Sequence, residues 1–171
     1  MKQFSQIPMI IMVMGLPGSG KTYFARHLSE RLGILYLGSD QTRKEITAMG
    51  KYSVRDKQNV YDEMRSRAEH HLALDESVIL DATFYKEDLR LPFEILAKNK
   101  GIPLVKLWVE APVEVIKERV SSQREDSDAD FAVYEKLAAD FEPPSAPYLK
   151  LISTQDNLYS MLTEAVQYLQ M

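Results

Sequence analysis

Met9-Ile10-Ile11-Met12-Val13-Met14-Gly15-Leu16-Pro17-Gly18-Ser19-Gly20-Lys21-Thr22 is an apolar run that breaks abruptly into a glycine-rich turn. The run from Met9 to Met14 carries no polar side chain, as a strand buried on both faces requires. From Gly15 to Thr22 the sequence matches G-x-x-x-x-G-K-[ST] in full. Beyond it, Phe24, Ala25, Leu28 and Leu32 fall on one stripe of a helix that starts near Gly20. Strand, glycine loop and helix in this order form a cradle for phosphate. Glycines let successive backbone N–H groups point inward where a side chain would collide. The helix start adds the positive end of its dipole. Gly15, Leu16, Pro17, Gly18, Ser19, Gly20, Lys21 and Thr22 therefore predict a site for Mg·ATP. Lys21 reaches the β- and γ-phosphates, and the Thr22 hydroxyl ligates Mg²⁺.

Outward from this loop, strand-like and helix-like segments alternate. Ile34–Leu37, Val78–Leu80, Leu104–Val109 and a segment near Tyr148–Ile152 read as further strands. Val60, Met64, Ala68 and Leu72 mark one face of a long helix, and Leu158, Met161, Leu162, Ala165, Val166 and Leu169 mark the last one. Pro92 implies a late start or a kink in the helix that carries Leu89, Phe93 and Leu96. Ser127 with Asp130 resembles a capping box. The predicted fold is α/β, a doubly wound five-stranded parallel sheet with helices on both faces and a helical lid over about residues 119–131. The 171 residues make one domain, without repeat or linker.

Composition narrows the class. There is no cysteine, which excludes disulfides and thiolate metal sites. The start lacks the order of a signal peptide, and Met9–Met14 is too short to span a bilayer, so a cytoplasmic protein with no membrane partner is expected. A formal net charge of -4 gives no global attraction to nucleic acid.

In an open parallel sheet the ligand site lies beyond the carboxyl ends of the strands. Ser39-Asp40 with Arg43 follows the second strand, Asp81-Ala82-Thr83 the third, and Glu110 the fourth. Taken alone, an Asp after a strand is most often a helix cap. With the phosphate loop on the same edge, Asp40 and Asp81 read as functional. Phosphoryl transfer to a hydroxyl needs a carboxylate to take its proton, and Asp40 is the candidate. Arg43, on the same helical face, steadies Asp40 or grips an anionic substrate. Asp81 ends an apolar strand in the manner of a Walker B carboxylate. It either holds Mg²⁺ through water or faces the substrate with Thr83 beside it. Arg119 and Arg124 fall where a helix runs into a polar stretch, the expected place for a mobile lid that carries arginines.

Together, Gly15–Thr22, Ser39-Asp40 with Arg43, Val78-Ile79-Leu80-Asp81-Ala82-Thr83, Arg124–Asp130 and Phe141-Glu142-Pro143-Pro144 resemble small P-loop kinases related to the phage polynucleotide kinase domain and the zeta-type toxins. The resemblance runs from Met9 to the final helix. It implies an ATP-dependent kinase with Asp40 as base, Arg119 and Arg124 as lid arginines, and Asp81 and Thr83 near the acceptor. The resemblance does not name the acceptor, since such relatives phosphorylate nucleic-acid ends, nucleotide sugars and antibiotics, and the leading reading is a small-molecule or nucleotide-like hydroxyl. Two other readings compete. A 5′-hydroxyl polynucleotide kinase needs clustered Lys and Arg, which the acidic balance disfavours. A nucleotide-hydrolysing switch that binds GTP would usually carry Asn-Lys-x-Asp, which is absent, whereas an ATP-driven switch stays open. Adjacent His70 and His71 cannot chelate together on a helix, and Trp108 and the strand methionines read as packing.

Overall fold

The computed structural model describes residues 7–48, 56–122 and 131–171. The capping box at Ser127 and Asp130, and Arg124 between them and α5, lie outside the described residues. In chain order the elements are β1 (Ile10–Met14), α1 (Lys21–Leu32), β2 (Leu35–Gly38), α2 (Ser39–Ala48), α3 (Asp56–Leu72) and β3 (Val78–Ala82). There follow α4 (Glu87–Lys100), β4 (Leu104–Glu110), α5 (Val113–Ser121), α6 (Phe131–Ala139), β5 (Leu149–Ile152) and α7 (Leu158–Leu169). The strands form one sheet in the order β2-β3-β1-β4-β5, and every neighbouring pair is parallel.

β1 lies at the centre, and all five of its residues are buried. Its two faces feed two cores, because side chains alternate along a strand. Ile10, Met12 and Met14 join a cluster with Val60, Met64 and Ala68 of α3 and Phe93 and Ala97 of α4. Ile11 and Val13 join the opposite cluster with Phe24 and Leu28 of α1 and Met161 and Ala165 of α7. Helices therefore cover both faces, as a doubly wound sheet requires.

Two details depart from expectation. The third strand extends through Asp81 to Ala82, so Asp81 is held in the sheet and does not follow it. α4 starts at Glu87 and runs through Pro92 without a late start. The missing amide of Pro92 would have sought the carbonyl of Asp88, an exposed first-turn residue whose oxygen water can satisfy.

Met12 is fully buried at the centre of this sheet. Met12→Ala is expected to destabilise the fold by about 2–5 kcal/mol. Truncation of the exposed Leu74 should cost no more than about 0.5 kcal/mol. Urea unfolding of the two variants checks the contrast.

Candidate active site

Where β1 ends, the chain must leave the sheet between two neighbouring strands. Gly15 donates its N–H to the carbonyl of Thr83, just beyond β3, at 3.3 Å. A Cβ on Gly15 would stand 2.3 Å from the Val109 carbonyl oxygen of β4 and 2.7 Å from Ser19 Oγ. No side chain fits there. Gly20 sits at φ 88°, a left-handed conformation that glycine adopts freely, and caps α1. Lys21 and Thr22 then open that helix, where unpaired backbone N–H groups and the dipole favour an anion.

Asp81 is 3% exposed and pairs in register with Val13 on one side and Gly38 on the other. Ile79, two residues earlier, belongs to the core beneath α1, so Asp81 lies on that same face. It therefore shares a side of the sheet with the helix that begins at Lys21 and Thr22. Tyr36 Oη donates to Asp81 Oδ2 at 2.7 Å. Burial, and then the negative charge of Asp81, hold the Tyr36 hydroxyl well above its ordinary pKa. Arg26, its guanidinium 5.5 Å from the ring centroid, pulls the other way. Asp81 Oδ1 and Ser19 Oγ are buried with no partner among the described residues. An orphaned buried polar atom costs about 1–3 kcal/mol, so two beside an anion cradle fit a polyphosphate and its cation.

The neighbouring strand end presents Asp40 and Arg43. Arg43 Nη1 donates to Asp40 Oδ1 at 3.0 Å, with both side chains 45% exposed. Asp40 is in the first turn of α2 and is not its cap. Buried Thr42 fastens that turn by donating to the Gly38 carbonyl at 2.8 Å.

The turn after β3 is held from several sides. Thr83 Oγ1 is 3.3 Å from Tyr61 Oη, which also accepts the Phe84 N–H at 3.2 Å. Phe84 has φ 45°, uncommon for a residue with a side chain, and its buried ring meets Tyr61 and Phe93 edge-on at 5.3 and 5.5 Å. Arg90, 3% exposed, donates from Nη1 to the carbonyls of Phe84 and Glu142, both at 2.8 Å. Burial lowers the Arg90 pKa, and the nearby carboxylates of Glu94, Glu142, Glu87 and Asp88 resist. A guanidinium stays charged under these conditions. Glu142 also donates its N–H to the Tyr85 carbonyl at 2.8 Å, and its Oε2 accepts the Glu87 N–H at the start of α4 at 2.7 Å. Phe141-Glu142-Pro143-Pro144 is thus a strap across the outside of this turn.

The sequence from residue 10 to residue 144 matches the model of an AAA domain. The chain belongs to this AAA domain family. It is 32% identical over 133 residues to the cytidylate kinase of Methanocaldococcus jannaschii, covering 73% of this chain and 69% of the relative. A candidate kinase of Chloroflexus aurantiacus superposes with a TM-score of 0.77 at 20% identity, over 96% of this chain and 97% of that one. Kti12 of Chaetomium thermophilum, solved with ADP-AlF3, gives a TM-score of 0.70 at 23% identity, over 94% and 98%. At these identities the two structures show the fold, which is that of P-loop kinases.

Within this AAA domain the residues expected at the site do not all converge. Glu110 is engaged elsewhere, paired at 2.9 Å with Lys150 of the edge strand β5. Arg119, expected on a lid, is tied to the body. It donates to the Gly18 carbonyl at 3.2 Å, to Ser153 Oγ at 3.0 Å and to the Thr154 carbonyl at 2.9 Å. Ile116 and Val120 of α5 stand against Gly18 of the phosphate loop, which brings the guanidinium to these three oxygens. Arg119 also lines a cavity of about 470 Å³ with Gly20, Tyr23, Phe24, Glu118 and Ser153, directly beside the loop. Tyr36, Tyr61, Phe84 and Arg90 escaped sequence reading. The one available signal was Arg90 on the apolar stripe of α4 with Phe93 and Ala97.

Because Arg90 spans two segments with a planar fork, Lys cannot replace it. Arg90→Lys is expected to lower stability by roughly 2–4 kcal/mol, read from the urea midpoint.

Proposed function

We propose that this AAA domain is an ATP-dependent kinase that transfers the γ-phosphoryl group to a hydroxyl of a small-molecule or nucleotide-like acceptor. One observation carries the reading. The Gly15 N–H is bonded to the Thr83 carbonyl, so the cradle for the donor and the turn proposed to face the acceptor are in direct contact. The name of the Methanocaldococcus relative and the ADP-AlF3 held by Kti12 support phosphoryl transfer from an adenine nucleotide. The resemblance to phage polynucleotide kinase and zeta-type toxin domains supports the same chemistry.

In this reading the loop amides of Gly18 and Gly20, the α1 N-terminus and the Lys21 ammonium hold the phosphates. The cavity beside Arg119 takes the base, a size that suits a ligand site. Magnesium, when bound, supplies positive charge to the β- and γ-phosphate oxygens. Thr22 and Asp81 are the residues that would hold it, since Oδ1 of Asp81 is buried without a partner among the described residues. Among the described residues no group of three or more His, Asp or Glu could hold a metal by itself. Such sparse protein ligation suits an ion that relies on phosphate and water oxygens.

Arg43 engages Oδ1 of Asp40 and leaves Oδ2 for the acceptor. Asp40 takes the hydroxyl proton as the acceptor oxygen bonds to the γ-phosphorus. The bond from that phosphorus to the bridging oxygen breaks, and ADP leaves with the electron pair. Arg124, outside the described residues, is the arginine proposed to meet the charge on the transferring group.

Acceptor-dependent ADP release, screened over nucleosides, sugars, aminoglycosides and 5′-hydroxyl oligonucleotides, tests the proposal. With an acceptor in hand, Asp40→Asn is expected to slow transfer by about 10²–10⁴-fold while ATP affinity is kept. Transfer at the parent rate would remove Asp40 as the base. ADP release stimulated only by a protein partner, with no phosphorylated small product, would replace the kinase with a switch.

A further inference from the structure

Tyr36 stands on β2 opposite Ile79, and Gly38 stands opposite Asp81. Side chains two residues apart on a strand share a face, so Tyr36 and the missing side chain of Gly38 lie on the same side. Tyr36 leans along its own strand and over Gly38 to place Oη 2.7 Å from Asp81 Oδ2. A Cβ on Gly38 would fall 2.3 Å from that hydroxyl, 2.7 Å from Cζ and 2.9 Å from Cε1. The space that an ordinary residue would fill at position 38 is occupied by the tyrosine on its way to the carboxylate.

The choice of donor has a chemical consequence. Asp81 is nearly fully buried, and a buried carboxylate needs compensation. An arginine or lysine at position 36 would neutralise the charge. A phenol satisfies one oxygen and leaves the negative charge for a cation. It also selects which oxygen stays open, since Oδ2 is engaged and Oδ1 has no partner among the described residues.

We propose that Tyr36 is a positioning residue for Asp81, fixing Oδ2 so that Oδ1 faces the magnesium hydration shell, and that Gly38 is glycine to let it do so. The inference rests on the reading of Asp81 as a magnesium-site residue. It places control of the carboxylate in β2, an edge strand that itself touches no phosphate in that reading.

The test is a magnesium titration of nucleotide binding, with N-methylanthraniloyl-ATP as the probe and fluorescence anisotropy as the readout. In Tyr36→Phe the half-saturating Mg²⁺ concentration is expected to rise about tenfold, the weight of one hydrogen bond to a charged group. Affinity for the same probe in EDTA should stay within about twofold, because the loop and α1 are untouched. Gly38→Ala should shift the magnesium curve in the same direction. If it folds, adding it to Tyr36→Phe should give no further shift, since both changes remove one contact. Asp81→Asn separates the two levels of the argument. If Asp81→Asn shifts the magnesium curve and Tyr36→Phe does not, the positioning role is overturned and the metal reading of Asp81 survives. If Asp81→Asn leaves the curve unchanged, that reading fails and the inference falls with it. An equal loss of affinity with magnesium and in EDTA would make Tyr36 a packing residue and overturn the proposal.

Discussion

Gly15 has a strand on either side and no room for a side chain. Its amide is tied to the turn after β3, and its α-carbon abuts a carbonyl of β4. The rest of the site follows from that confinement. A chain leaving a fully buried strand at this point must turn at once, and the turn leads straight into the N-terminus of α1, whose first amides have no partner within the helix. The central position of β1 supplies both walls, because β3 and β4 flank it in the sheet. Phosphate binding in this fold is thus a property of how the sheet is ordered as much as of the residues in the loop.

Two sides of function meet at this edge, and they are built differently. Toward β4 and β5 the support comes from α5 and the start of α7, with Arg119 knitting the loop to residues 153 and 154. Toward β3 and β2 it comes from hydroxyls and carbonyls, with Tyr36, Tyr61, Thr42 and Arg90 each bonded across or along the chain. The nucleotide side is closed by a guanidinium. On the side proposed for the acceptor, the hydroxyl of Tyr36 meets Asp81 and the guanidinium of Arg43 meets Asp40, while Arg90 holds the backbone behind them.

Much of this was legible before any coordinates. The strand-loop-helix order around Gly15, the five apolar runs and the stripes on α3 and α7 all have short periods, and the structure returns them nearly unchanged. Asp81 and Asp40 could be placed at neighbouring strand ends because strand ends are local features. What stayed hidden is long-range. Tyr36 meets Asp81 across 45 positions, and Arg90 meets Glu142 across 52, so neither leaves a spacing that a sequence window can register. The partners of Arg119 were hidden for the same reason, since Gly18, Ser153 and Thr154 lie 101, 34 and 35 positions away. Pro92 does not delay the start of α4, because its cost depends on which carbonyl loses a partner, and Asp88 is exposed.

The clamp made by Arg90 has one further consequence. Among the described residues, every contact from its guanidinium within hydrogen-bond range goes to main-chain oxygens, at residues 84, 142 and 143. Peptide carbonyls are the same whatever side chain hangs from them. The hold of Arg90 on the turn is therefore indifferent to which side chains stand at positions 142 and 143, although Glu142 separately uses its own carboxylate on the Glu87 N–H. Such an arrangement separates what must be inherited from what can diversify. A lineage can rewrite the surface around this turn, residue by residue, and the backbone that carries Thr83 stays in place.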